Sequence, residues 1–259
     1  MTNWRLLIDP DLPGARNMAR DIALLEAVTA GLAPPTLRLY GWHPACLSLG
    51  RHQGLEAADL DFCRAEGFDV VRRPTGGRAV LHHLERTYSV TAPLGAGTVP
   101  RPLQEAYRTI CAALVVAVRS LGVEAELTGG EVNLHLPGPR TTVPCFEAPA
   151  GGEVVVDGRK LIGSSMRASD GCLLQHGAIL LDWDGRLQAG AMGLTDDRQL
   201  RPHVTTFADQ LRRRVSAVEL DAALIAGFAA TFGVALEPGG LTADEVAREA
   251  VLLDAYRLP

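Results

Sequence analysis

The chain has almost no lysine. Of its 25 lysine and arginine residues, 24 are arginine, and the exception is Lys160. A drift towards arginine that spares one position leaves two readings: a chance survivor on a solvated strand, or a residue doing what arginine cannot. Lysine is a compact point charge on a flexible stem, and its pKa falls readily on burial, whereas arginine is a broad fork that never deprotonates. Long apolar runs are also lacking. No stretch approaches the roughly 20 uninterrupted apolar residues of a membrane helix. The start of the chain, Met1-Thr2-Asn3-Trp4-Arg5, does not have the basic-then-apolar pattern of a secretion signal. Cys46, Cys63, Cys111, Cys145 and Cys172 are odd in number, widely spread and free of any Cys-x-x-Cys pair. Neither a zinc knuckle nor a disulfide framework is therefore indicated, and a reducing cytoplasmic setting is expected. A formal net charge of −5 argues against general nucleic-acid binding.

What is present is an ordinary globular composition, 47% hydrophobic and 21% charged, without repeats or low-complexity linkers. Asn17 is placed to cap a helix over Met18–Val28. Strands are predicted at Thr36–Tyr40, Ala45–Leu49, Asp69–Arg72, Ala79–His82 and Thr87–Thr91, with a helix over Leu55–Glu66. Ile110, Leu114, Val118 and Leu121 recur at helical spacing and predict a helix over Leu103–Leu121. The stretch 129–152 is rich in Gly and Pro and reads as irregular. Glu153–Val156 and Lys160–Ser165 flank Asp157-Gly158, a two-residue hairpin signal, and Cys172–Leu181 follows as another strand. Ser216-Ala-Val-Glu219 and Thr242-Ala-Asp-Glu245 read as capping boxes opening helices. Paired strands with separate helices, rather than regular β-α-β alternation, imply an α+β fold with a mixed, mainly antiparallel sheet. One domain spanning 1–259 is expected, with a short helical C-terminal part from about 216.

Four features carry chemistry. In Arg72-Arg-Pro-Thr-Gly-Gly-Arg-Ala-Val-Leu-His82, Gly76 and Gly77 let a backbone approach a ligand, although the spacing is not that of a P-loop. Arg73 and His82 flank that loop, and His176 sits in a predicted strand. A histidine can exchange protons near neutral pH, though a lone strand histidine is more often structural. No second ligand cluster accompanies them, so no metal is expected. Cys145 lies in the irregular stretch, where it is either a nucleophile beside a cation such as Lys160 or an apolar residue beside Phe146.

The glycine-loop string, the upstream Ser48-Leu-Gly-Arg-His-Gln53, and Gly158-Arg-Lys-Leu-Ile-Gly-Ser-Ser165 followed by Leu173-Leu-Gln-His-Gly-Ala-Ile179 resemble the biotin/lipoate protein ligase superfamily in order and spacing. The likeness spans roughly residues 15–210. It implies an α+β fold with an acyl-chain tunnel beside the lysine. Ligases of the superfamily carry an Asn-Asp pair before the lysine strand, whereas its cysteine-dependent octanoyltransferases and amidotransferases carry Cys-Phe. This chain reads Cys145-Phe-Glu-Ala-Pro149 and so resembles the cysteine branch. One departure is His83, where the family usually has Asp. The resemblance implies Cys145 and Lys160 as catalytic residues, and Arg73, Gly76, Gly77, His82, Gly163, Ser164 and His176 as substrate-binding ones. It implies no cofactor. The implied reaction moves octanoyl from octanoyl-acyl carrier protein, through a cysteine thioester, to a lysine of a lipoyl domain or of the glycine cleavage H protein. The alternatives are an ATP-dependent lipoate-protein ligase, an amidotransferase between the H protein and lipoyl domains, and a non-catalytic binder of acyl chains or lipoyl domains. Arg212-Arg213-Arg214 and the exposed members of Arg72, Arg73 and Arg78 are candidate docking cations for an acidic carrier protein.

Overall fold

A computed structural model of the protein describes residues 3–95, 99–132 and 151–258. Its strands are β1 (Asn3–Leu12), β2 (Thr36–Trp42), β3 (Cys46–Leu49), β4 (Asp69–Arg72), β5 (Val80–His82), β6 (Glu85–Pro93), β7 (Glu126–Leu127), β8 (Val154–Val156), β9 (Arg159–Ser169), β10 (Cys172–Leu180) and β11 (Ala235–Pro238). Its helices are α1 (Gly14–Thr29), α2 (Leu60–Ala65), α3 (Leu103–Ser120), α4 (Gly185–Ala191), α5 (Phe207–Leu211), α6 (Ala217–Phe232) and α7 (Ala243–Leu252). The large sheet runs β11-β1-β2-β6-β10-β9-β8-β7, and a small one runs β4-β3-β5. β1 is parallel to both β11 and β2, while every other pair of the large sheet is antiparallel. The expected mixed, mainly antiparallel α+β architecture is therefore present.

Alternation along the strands assigns the two faces of the large sheet. Leu173 joins Ile110, Leu114, Val118, Leu224 and Phe228 of α3 and α6 in the main core. Its neighbours Cys172 and Leu174 face the other way, against Ile22, Leu25 and Val28 of α1. The 3.6-residue stripe read on α3 is the buried one, with Ile110, Leu114 and Val118 fully covered. Fully burying each such side chain stabilises by roughly 1.5–3 kcal/mol.

Three local expectations need correction. Asn17 is no cap: α1 already begins at Gly14, and the Asn17 amide is buried, donating to the carbonyls of Leu12 and Gly41. The helix expected over 55–66 is split into a single 3₁₀ turn at Leu55–Ala57 and α2, because the Asp59 carboxylate accepts the Phe62 N–H and starts a new helix. Ser216 caps α6, but the Glu219 carboxylate turns to Arg213 instead of closing the box. At Thr242 both halves of the box form.

Buried ion pairs fasten α7 and α1 to the sheet. Arg5 meets Glu245 at 2.6 Å. Arg20 bridges Asp9 at 2.7 Å and Glu249 at 2.6 Å. Arg38, wholly buried, meets Asp9 at 2.6 Å and Asp21 at 2.8 Å. Burial pulls these carboxyl pKa values upwards, but the arginines outweigh it and hold Asp9, Asp21, Glu245 and Glu249 below their ordinary values. A carboxyl whose folded pKa is depressed adds stability that is present above its unfolded pKa and lost as pH falls through the folded one. The midpoint of thermal unfolding should therefore hold steady from pH 7 towards 5 and drop below about 4. Glu249→Gln should lower the neutral midpoint and flatten that acid drop. An equal acid drop in the variant would show that this cluster is not its source.

Candidate active site

The Asp157-Gly158 hairpin forms as read, both residues having positive φ (50° and 72°). Its register slips by one residue, so that Val154 faces Ile162 and Val155 faces Lys160. Such a bulge re-aims a side chain. Here Lys160 is turned inward to 1% exposure, with Nζ 2.7 Å from Glu153 Oε1, itself buried. The Lys160 carbonyl accepts the N–H of Thr205 at 2.9 Å, which fixes the backbone on its far side. A solvated chance survivor would not look like this. Glu153 was not singled out from sequence, although it opens the same hairpin as the lysine.

Beside this pair lies a mostly apolar cleft. Met18, Tyr40, Trp42, Val80 and Ala178 line it together with Arg73, Gly77, His82, Gly163, Ser164 and His176. Six of the seven residues expected to bind substrate thus converge on one cavity, and Gly76 adjoins it in the loop. A Cβ on Gly163 would lie 3.7 Å from Lys160 Cδ, so the lysine stem runs past the cleft wall. Cys145 lies outside the described residues.

The glycine loop is built around Arg73. Its guanidinium donates to the carbonyls of Gly76 (2.7 and 3.0 Å), Arg78 (2.7 Å) and Ser48 (2.9 Å). Arg73 is only 5% exposed, so its charge organises the loop and is withdrawn from any docking surface. Gly77 has φ +89°, and a Cβ there would stand 2.7 Å from the same guanidinium. Glycine is the residue that tolerates both conditions.

His82 stacks on Trp42, ring centroids 4.0 Å apart. Ser48 Oγ accepts from Arg73 Nη1 at 3.3 Å and shares a hydrogen bond with His82 Nε2 at 2.8 Å. Nδ1 faces Glu85 at 3.4 Å, long for a good hydrogen bond. Burial pushes the His82 pKa down, with Glu85 opposing and Arg73 adding to the shift. His82 thus forms a buried wall of the cleft. Opposite, Tyr88 Oη accepts from Gln175 Nε2 at 2.8 Å and shares a hydrogen bond with Ser164 Oγ at 2.7 Å.

The four described cysteines are all buried. Burial pushes the thiol of Cys46 well up, that of Cys63 up to about 11 and that of Cys111 up to about 12. Cys172, the rival closest to the lysine strand in sequence, packs under α1 among Ile22, Leu25 and Val28. Among the described residues there is no group of three or more His, Cys, Asp or Glu that could hold a metal.

Residues 13–229 match the model of the lipoyl protein ligase A/B catalytic domain. The chain belongs to that family. It is 42% identical to the octanoyltransferase LipM of Symbiobacterium thermophilum, over 98% of this chain and 95% of the relative. Its fold is similar to that of a lipoate-protein ligase A bound with ATP, with a TM-score of 0.80 and 25% identity over 98% of this chain and 95% of the other. It is likewise similar to a bipartite lipoate protein ligase studied with its E2 lipoyl domain from Thermoplasma acidophilum, at a TM-score of 0.79 and 25% identity over 98% and 93%. Among the described residues, no helix is long and apolar enough to cross a membrane.

Proposed function

We propose that the chain is an octanoyltransferase of lipoate biosynthesis that works through a Cys145 thioester. The observation that carries the reading is the inward-turned Lys160 beside a mostly apolar cleft, in a chain 42% identical to an enzyme of that name. Cys145 attacks the thioester carbonyl of octanoyl-acyl carrier protein, and the carrier thiol leaves. The amine of a lipoyl-domain or H-protein lysine then attacks the new thioester, forming the amide and freeing Cys145. Splitting the transfer in two is the logic of covalent catalysis. What supports Cys145 is its Cys-Phe context and the inaccessibility of the other four thiols. A cation near a thiol favours the thiolate, and Lys160, whose stem passes the Gly163 wall of the cleft, is the proposed cation.

The test is intact mass after incubation with octanoyl-acyl carrier protein in the absence of ATP. One octanoyl group should add, be released by hydroxylamine, and be missing in Cys145→Ala. Undiminished acylation of a lipoyl domain by Cys145→Ala would overturn the covalent route. A strict need for ATP would favour the ligase reading, which the likeness to an ATP-bound ligase keeps in view. For carrier docking, Arg213 is already matched by Glu219 at 2.6 Å, which leaves Arg212 and Arg214 as the stronger cations of that run.

A further inference from the structure

Thr75, His176 and Asp21 form a hydroxyl–imidazole–carboxylate chain. Thr75 Oγ1 lies 2.6 Å from His176 Nε2, and His176 Nδ1 lies 3.0 Å from Asp21 Oδ2. In outline it resembles a nucleophilic triad, but the surroundings remove that role. Thr75 is 1% exposed and is not part of the cleft lining, which sets its oxygen back from the cavity. Asp21 is fully buried and already serves Arg38, Tyr40 and Ser89. A carboxylate only accepts, so Nδ1 carries a hydrogen towards Asp21, and in the neutral ring Nε2 accepts the Thr75 hydroxyl. Both ring nitrogens are thereby occupied, and His176 turns towards the cleft without a nitrogen to offer.

Thr75 also stands directly before Gly76 and Gly77. Its carbonyl accepts the N–H of Arg51 at 2.9 Å. The Gly76 carbonyl receives Ser165 Oγ at 2.9 Å, and Ser165 is the cross-strand neighbour of His176. We propose that His176 is a positioning residue: fixed by Asp21, it grips Thr75 and, together with Ser165, latches the glycine loop onto β9 and β10, and it moves no proton in the reaction. The kinetic part of this inference rests on the octanoyltransferase reading, and the structural part does not.

The test compares Thr75→Val, which keeps the shape and loses the hydroxyl, with Thr75→Ser, which restores the hydroxyl. Without any substrate, amide hydrogen exchange at Arg51 and across residues 75–79 should speed up about tenfold in Thr75→Val and stay within about threefold of the parent in Thr75→Ser. In octanoyl transfer, Thr75→Val should raise the KM for octanoyl-acyl carrier protein about tenfold with kcat within about threefold, and its pH–rate limbs should stay in place. ¹⁵N spectra of His176 should show Nδ1 protonated in the parent at neutral pH. Unchanged exchange in Thr75→Val would overturn the latch. A collapse of kcat with loss of a pH–rate limb in His176→Gln would overturn it too, by making His176 an acid or base. If the loop responds but the protein transfers no octanoyl from any donor, the functional reading fails and the latch stands.

Discussion

Lys160→Arg should lower octanoyl transfer by about two orders of magnitude, because a misplacement of roughly 1 Å near the reacting atoms can cost that much. Charge is not the issue. Arginine would still answer Glu153, and a fork against a carboxylate is a good pairing. Shape is. The lysine sits at 1% exposure, its backbone pinned by Thr205 and its stem passing Gly163. A longer, planar group there must push a strand or move its charge from where the ammonium sits. Overpacking of this kind costs about 1–3 kcal/mol, so the variant should fold with a lowered urea midpoint. Lys160→Ala is the harsher change for the fold, since it takes the cation from a buried carboxylate, a class of change that costs about 3–5 kcal/mol. It should also raise the pKa of Cys145, read as slower alkylation at neutral pH. If Lys160→Arg retains near-normal kcat/KM, lysine at 160 matters only as a counter-charge.

Gly177→Ala should be nearly as damaging through the backbone. A Cβ at Gly177 would stand 2.5 Å from the Gly163 carbonyl oxygen, 2.8 Å from Ser164 Oγ and 2.8 Å from the Tyr88 ring. Two of these neighbours line the cleft, and the closest atom is backbone and cannot swing aside. β9 and β10 would have to part beside Lys160. The expected result is about 1–3 kcal/mol of lost stability and a loss of transfer on the order of 10²-fold. Gly76→Ala is the contrast, because a Cβ there meets nothing within 4 Å. Its unfolding midpoint should match the parent, so any loss of activity would report on ligand approach alone. A Gly177→Ala protein with parental stability and activity would mean that the strands part without consequence.

Much of this was legible in sequence wherever the cause is local. The Asp157-Gly158 turn, the α3 stripe and the Thr242 box each depend on residues within a few positions of one another. β1 went unread because its partners are far away: it pairs β11 some 230 residues on, and its Asp9-Pro10-Asp11 end does not advertise a strand. Asn17 reads as a cap from its chemistry, but two carbonyls from other segments claim its amide. The same divide runs through the site. The glycine loop and the lysine strand could be seen, and their convergence followed from the family resemblance. That Arg73 serves its own loop could not be seen, because an arginine beside two glycines reads equally well as a ligand clamp. Glu153 was within reach: a tight hairpin brings residues just before the turn alongside those just after it.

The burial of Lys160 has a consequence for the enzyme's own integrity. A protein that carries an octanoyl thioester and delivers it to lysine amines is a hazard to any lysine that strays within range. The basic groups on this chain's surface are arginines, whose guanidinium stays protonated and makes a poor acyl acceptor. Its single lysine is enclosed and engaged with Glu153. On the proposed mechanism, the acyl group therefore finds no lysine amine on the surface of the enzyme that holds it or of a second copy. The scarcity that first marked the sequence would then protect the enzyme against octanoylating itself.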